Sequence, residues 1–326
     1  MKCERCQENP VRVRVEQIVD GQREARYLCQ QCVDELMSTA GQARTFEGRS
    51  RAPFGFTANN NRPVSAVDID RDHNTVERST ENSGTLEHLP DQSTQFLQEL
   101  VDWKQNLPDT AWADLLTDAQ LGRVALFSVD MLNGFCHEGT LSSPRIKAII
   151  PAVVTAFKDA HAIGVRNFVL PQDCHSADSV EFADFPPHCQ VGTREANTIP
   201  ELAELPFADL YTIVPKNSLN AFHGTDLGKW LEAHRDLSTA VVVGNCTDLC
   251  VYQLAMHLKL YANAHNLKLR VIVPENAVQT YDMPVETARE IGALPHNGDV
   301  LHLLFLYHMR LNGVEVVREI RSLQAS

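Results

Sequence analysis

Residues 241–251 read VVVGNCTDLCV. The β-branched run Val241–Val243 suits a strand buried on both faces, and Gly244 lets the backbone turn sharply after it. Thr247 and Asp248 can cap the helix that Val251, Leu254, Ala255 and Leu258 continue at helical spacing. Cys250 therefore falls in the first turn of a helix, directly after a strand. Unpaired N–H groups and the helix dipole favour an anion there, so a thiolate is stabilised. A buried, inert cysteine is the competing reading. The rest of the chain decides between them.

On either side of this stretch, strands alternate with helices. VALFSVDMLNGF, from residue 124, predicts a buried strand with Asp130 at its carboxyl end. A helix over about 144–161 and the strand RNFVLPQD, ending at Asp173, follow. A long polar loop leads to the strand ADLYTIVPKN, with Lys216 at its end. A helix over 226–234 precedes the strand into Cys250. The strand LKLRVIVPENAV, helices over 284–293 and 300–311, and a last strand GVEVVREI complete the run. This alternation predicts an α/β fold with a doubly wound parallel sheet. Sites in such sheets lie at the carboxyl ends of the strands, and Asp130, Asp173, Lys216 and Cys250 all fall there.

These groups are chemically complementary. A carboxylate beside a thiol can take its proton and later hand it to a departing amine. A nearby ammonium lowers the thiol pKa and holds the carboxylate in place. Asp130, Lys216 and Cys250 supply one of each; singly, they could equally be a helix cap, a strand-end surface charge and core filler. The loop DCHSADSVEFADFPPHCQVGT adds Asp173, His175, Glu181 and His188, two imidazoles and two carboxylates within 16 residues. That set suits one divalent ion, zinc, iron or manganese, although loop histidines are more often simply solvated.

DMLNGF, the lysine in VPKNSLNAFHGTDL, and GNCTDLCV together resemble the isochorismatase-like cysteine hydrolases, and within that group the nicotinamidases. The resemblance spans about residues 124–320. It implies that Asp130, Lys216 and Cys250 form a triad, that the Asn245–Cys246 peptide is cis, and that the backbone N–H groups of Cys246 and Cys250 form an oxyanion hole. It also implies an active-site metal on Asp173, His175, Glu181 and His188, oriented toward the pyridine nitrogen of nicotinamide. Phe135, Phe185 and Phe222 can sandwich a planar ring. Two departures bear on the substrate: Cys174 stands where nicotinamidases commonly have an aromatic, and Phe185 replaces a tryptophan. Cys136, Cys174, Cys189 and Cys246 read as structural. Isochorismate hydrolysis is disfavoured, because that branch generally lacks the catalytic cysteine.

The N-terminus carries two CxxC pairs, Cys3/Cys6 and Cys29/Cys32, separated by 22 residues. The intervening VRVRVEQIVDGQREARYL predicts a β-hairpin turning at Asp20-Gly21. Four thiolates so placed suit a tetrahedral structural zinc, which would supply much of the folding free energy of so small a module. A redox CxxC is the weaker alternative. The pattern resembles the zinc-binding N-terminus of the activator of bacterial protein arginine kinases, which implies a protein-contact module. Three regions follow: a zinc-ribbon-like module over 1–37, a flexible linker over 38–90 rich in Ser, Asn, Arg, Gly and Asp, and a hydrolase domain over 91–326 opened by helices from about Thr94 and Trp112.

Composition bounds the function. With 326 residues and 44% hydrophobic content, the chain can bury a sizeable core. A formal charge of −13 argues against general nucleic-acid or anionic-membrane binding. No run reaches membrane-spanning length, and the N-terminus lacks a signal peptide's apolar core. Nine cysteines, four in CxxC pairs, fit a reducing, cytoplasmic setting. The expected partners are a small amide substrate, a protein bound through the zinc module and further copies of the chain. Two other functions compete: hydrolysis of a different small amide or ureido compound, and a zinc-targeted sensor or scaffold with little turnover.

Overall fold

A computed structural model describes residues 2, 6–8, 13–19, 22–28, 32, 89–116 and 121–322, which divide into two units between residues 78 and 79. In the first, β1 (Val13–Val19) and β2 (Gln22–Leu28) form an antiparallel hairpin with Val19 opposite Gln22. The expected turn at Asp20-Gly21 lies outside the described residues, as do Cys3, Cys29 and the linker over 38–88.

The second unit opens with α1 (Leu89–Gln105), which starts ahead of the predicted Thr94 and carries Pro90 in its first turn, where a missing N–H costs nothing. β3 (Thr110–Ala111) follows, then β4 (Val124–Val129). The expected helix over 144–161 is two helices, Pro144–Ala148 and α2 (Ile150–Ala162), because Pro151 has no N–H to give and its ring blocks a continuous turn. The remaining major elements are β5 (Asn167–Asp173), β6 (Tyr211–Lys216), α3 (Leu227–Ala233), β7 (Thr239–Asn245), α4 (Cys250–Ala264), β8 (Arg270–Pro274), β9 (Val278–Gln279), α5 (Gly298–Leu311), β10 (Glu315–Val317) and β11 (Ile320–Arg321).

The strands order as β10-β8-β7-β4-β5-β6, every neighbour parallel, with β9 added beside β7 and a separate β11-β3 pair. The chain thus starts at the centre, winds outward through β5 and β6, then returns to the other side of β4. The order reverses between β4 and β7, which is where an open α/β sheet forms its ligand crevice.

Strand chemistry explains the layering. In β4, Val124 and Leu126 join the core under α2, while Ala125, Phe127 and Val129 join the core under α3, α4 and α5. In β7, Val241 and Val243 face the first core and Ala240 and Val242 the second. Both strands are buried throughout, as continuous apolar runs require. Pro171 in β5 would be out of place in a fully paired central strand. The β4–β5 ladder stops at the Phe127–Val169 pair, and Pro171 instead offers its carbonyl to the Asp130 N–H at 3.0 Å. Among the described residues, no helix is long and apolar enough to cross a membrane.

Candidate active site

Four strand ends meet at the reversal point. Asp130 follows β4 with φ +52°, Asp173 and Lys216 close β5 and β6, and Cys250 opens α4 after the turn that leaves β7. All four are buried. Lys216 Nζ lies 2.9 Å from Asp130 Oδ2, 2.5 Å from Asp173 Oδ1 and 3.4 Å from Cys250 Sγ. Asp130, Asp173 and Cys250 each place a side-chain atom within 4.8 Å of the other two. Asp130 Oδ1 also accepts the Asp173 N–H at 2.8 Å, which fixes the carboxylate plane.

Burial and charge set the protonation states. Burial, reinforced by the Asp173 charge, pushes Asp130 up to about 6 against the pull of Lys216. Burial also opposes ionisation of Asp173, yet the Lys216 ammonium beside it holds it well below the usual carboxylate range. Lys216 would lose its proton by burial alone, but the two carboxylates hold it well above a free lysine. Cys250 runs opposite to the sequence expectation: burial raises its thiol well above 9, and Lys216 offsets only part of that. Burial therefore favours the neutral thiol beside this ion cluster.

The turn ahead of α4 differs from the expected cap. The Asn245–Cys246 peptide is cis. Leu249 is the residue ahead of the helix, and no side chain caps it. Thr247 and Asp248 turn elsewhere: Thr247 Oγ1 meets His302 Nδ1 at 2.9 Å, and Asp248 Oδ2 meets His296 Nε2 at 2.7 Å. The backbone bonds of the turn are donated by Thr247, Leu249 and Val251 rather than by Cys246 or Cys250. Asn245, absent from the sequence-derived site, donates from Nδ2 to the Asp130 carbonyl at 2.6 Å and ties the two central strand ends together.

Next to this cluster, Asp173, His175 and His188 bring ligand atoms within 4.8 Å of one another, all buried. His175 Nε2 lies 3.4 Å from Asp173 Oδ1, and His188 Nε2 lies 3.6 Å from Asp173 Oδ2. Glu181 stands at the rim, its Oε1 3.8 Å from His175 Nε2. The far ring nitrogens are engaged: His175 Nδ1 with Asn217 Oδ1 at 3.0 Å, and His188 Nδ1 with the Pro186 carbonyl at 2.9 Å. Both partners are acceptors, so each Nδ1 carries the proton and each Nε2 turns a lone pair inward. His175 Nε2 and Glu181 Oε1 are buried without a hydrogen-bond partner. This donor set fits a divalent metal. Sequence reasoning missed Asn217, although its place directly after Lys216 at a strand end was a signal.

Aromatic rings wall one side. Phe135, Phe182 and Phe185 lie 5.6, 5.8 and 6.4 Å from the His188 ring, centroid to centroid. Phe182 was not among the expected pocket residues. Phe222 was, but it stacks on His257 of α4 at 3.5 Å.

Comparison with known proteins agrees with this architecture. The isochorismatase domain family matches residues 124–297. Nicotinamidase 1 of Arabidopsis thaliana is 30% identical over 213 residues, covering 60% of this chain and 86% of the plant protein. A nicotinamidase/pyrazinamidase of Mycobacterium tuberculosis is 29% identical over 178 residues, covering 51% of this chain and 93% of its own. Among solved structures, a cysteine hydrolase from Pseudomonas syringae superposes with a TM-score of 0.50 at 21% identity, over 61% of this chain and 89% of that one, a likeness of fold.

Proposed function

The chain belongs to the isochorismatase family, and from that premise we propose that it is a cysteine amidohydrolase converting nicotinamide to nicotinate and ammonia. The observation that carries the reading is the single contact set of Lys216: one ammonium touching the Asp130 carboxylate, the Asp173 carboxylate and the Cys250 sulfur.

Asp130 is the base. Its pKa of about 6 leaves it ionised near neutrality yet basic enough to take the Cys250 proton as sulfur adds to the amide carbon. Transfer within the encounter avoids a free thiolate, which burial disfavours. The carbonyl oxygen becomes an oxyanion facing the N–H groups of Cys246 and Cys250, which the turn's own hydrogen bonds leave aside. Asp130 then returns its proton to the nitrogen, ammonia leaves, and a thioester remains. Water, deprotonated by Asp130, cleaves it to the acid and restores the thiol. Lys216 keeps its proton throughout and balances the charge moving between Asp130 and sulfur.

Asp173, His175 and His188, with Glu181 at the rim, would hold a divalent ion, zinc, iron or manganese, which supplies a Lewis-acid point for the ring nitrogen of a pyridine carboxamide. Phe135, Phe182 and Phe185 would flank that ring and exclude water.

The test is ammonia release from nicotinamide by the metal-loaded chain and by Cys250→Ala. Release by the wild type and its loss in the variant is the expected result. Release from a different small amide but not from nicotinamide would keep the chemistry and replace the substrate; no turnover of any amide would favour the sensor or scaffold function.

For the N-terminal unit the proposal is a structural zinc on Cys3, Cys6, Cys29 and Cys32, in a module that contacts a partner protein. The pairing of Val13 with Leu28 supports it, since the two CxxC pairs precede and follow the same end of the hairpin in sequence. Metal analysis of the chain against Cys3→Ser checks it. One fewer zinc per chain in the variant is expected.

A further inference from the structure

A cavity of about 450 Å³ is lined by residues of α1, α5, the helix Pro144–Ala148 and the segments around β9 and β10, none of them in the cluster around Cys250. Lys104, Arg145 and Arg318 face it against only Glu275 and Asp299, and Val101 and Leu303 give it an apolar wall. Each of the three cations has one carboxylate partner, so an incoming anion would compete for groups already oriented. Arg145 is already oriented, donating to the Thr280 carbonyl and Gln279 Oε1 at 3.1 Å each and to Asp299 Oδ1 at 2.7 Å. Lys104 Nζ lies 2.8 Å from Glu275 Oε1, and Arg318, half exposed, sets Nε 3.7 Å from Asp109 Oδ1 and donates from Nη2 to the Leu107 carbonyl at 2.9 Å.

Two hydrogen-bonded paths lead from this lining to the catalytic turn, and both end on Thr247. Glu275 Oε1 meets His302 Nε2 at 3.4 Å, and His302 Nδ1 meets Thr247 Oγ1 at 2.9 Å. Gln279, which Arg145 holds by its side chain, accepts the Thr247 N–H on its carbonyl at 3.1 Å. Thr247 follows Cys246, one of the two proposed oxyanion donors. The cavity lining therefore fixes the N–H and the hydroxyl of Thr247 in that turn.

We propose that this cavity is a regulatory site for a small organic phosphate of roughly mononucleotide size, its occupancy transmitted to the catalytic turn through Thr247. The volume suits a small metabolite with an apolar body. Guanidinium forks match phosphate oxygens, and Lys104 adds a point charge. A phosphate competes with Glu275 for Lys104 and with Asp299 for Arg145. Freeing Glu275 changes its bond to His302, hence the hold of His302 on Thr247, so ligand binding and turn geometry share free energy. The regulatory half rests on the amidohydrolase reading; the binding half does not.

The experiment is calorimetric titration of the full metal-loaded chain with adenosine monophosphate, beside inorganic phosphate and adenosine, with ammonia release from nicotinamide measured in parallel. Saturable binding of the nucleotide, weaker binding of phosphate and none of adenosine are expected. Lys104→Gln and Arg318→Gln should each weaken nucleotide binding about tenfold or more. Arg318→Gln should leave ammonia release without nucleotide unchanged, whereas Lys104→Gln, which frees Glu275 as the ligand would, should shift it in the direction that nucleotide does. Saturating nucleotide should change wild-type ammonia release about threefold or more. No saturable binding of either phosphate compound at millimolar concentration overturns the site, as does binding that neither variant weakens. Binding without a change in rate overturns the coupling. Should no amide be hydrolysed at all, the calorimetric arm still decides whether the site exists.

Discussion

Lys216 Nζ lies 3.4 Å from Cys250 Sγ, and yet burial pushes the thiol up, because two carboxylates have already claimed the ammonium. The lysine therefore acts less as a direct activator of sulfur than as the group that lets Asp130 and Asp173 coexist. Replacing it by methionine should leave two buried like charges uncompensated. We expect Lys216→Met to lower stability by about 3–5 kcal/mol and to remove measurable amide hydrolysis. Urea denaturation beside an ammonia assay checks both; a stable, inactive variant would assign lysine to chemistry alone.

The raised pKa of Asp130 gives activity and stability opposite pH trends. Only the ionised carboxylate can take the thiol proton, so kcat/KM should rise with pH through about 6. The folded pKa exceeds the ordinary 3.8, so the stability from this group is complete below that value and is lost as pH rises through about 6. A pH–rate profile locates the limb. Asp130→Asn should abolish turnover and remove the matching segment from the pH dependence of stability.

Asn217 touches none of the reacting groups, but it sets the tautomer of His175. Asn217→Leu should cost about 10–100-fold in active-site metal affinity while preserving the fold. Competition with a chromogenic chelator measures it, with His175→Ala as the reference for losing the ligand outright.

Gly244 sits in β7 at φ +111°, and a Cβ there would stand 2.1 Å from the Val129 carbonyl oxygen. Backbone cannot yield as a flexible side chain can. Gly244→Ala should destabilise by about 4 kcal/mol or more, or prevent soluble accumulation. Thermal unfolding beside a Gly228→Ala control, a position with open space, separates the close approach from a general effect of the added methyl.

The sequence by itself determined the sheet and the ends of its strands. Uninterrupted apolar runs such as Val241–Val243 suit a strand covered on both faces, and their alternation with helices points to parallel pairing. That places Asp130, Asp173, Lys216 and Cys250 together at the carboxyl end of the sheet. A single helix is what the sequence reading predicts over 144–161, and Pro151 is the signal for the split that this reading passes over. Tertiary structure decided what depends on distance across the chain. It sent Thr247 and Asp248 to His302 and His296 instead of the helix end, because those partners lie 55 and 48 residues away in sequence. It brought Phe182 to the His188 ring and stacked Phe222 on His257. It also set the charge on Cys250, since helix position favours a thiolate whereas complete burial, a property of the packed sheet, opposes it. Periodicity encodes which face a residue takes; only packing fixes which neighbour it meets and how much water remains.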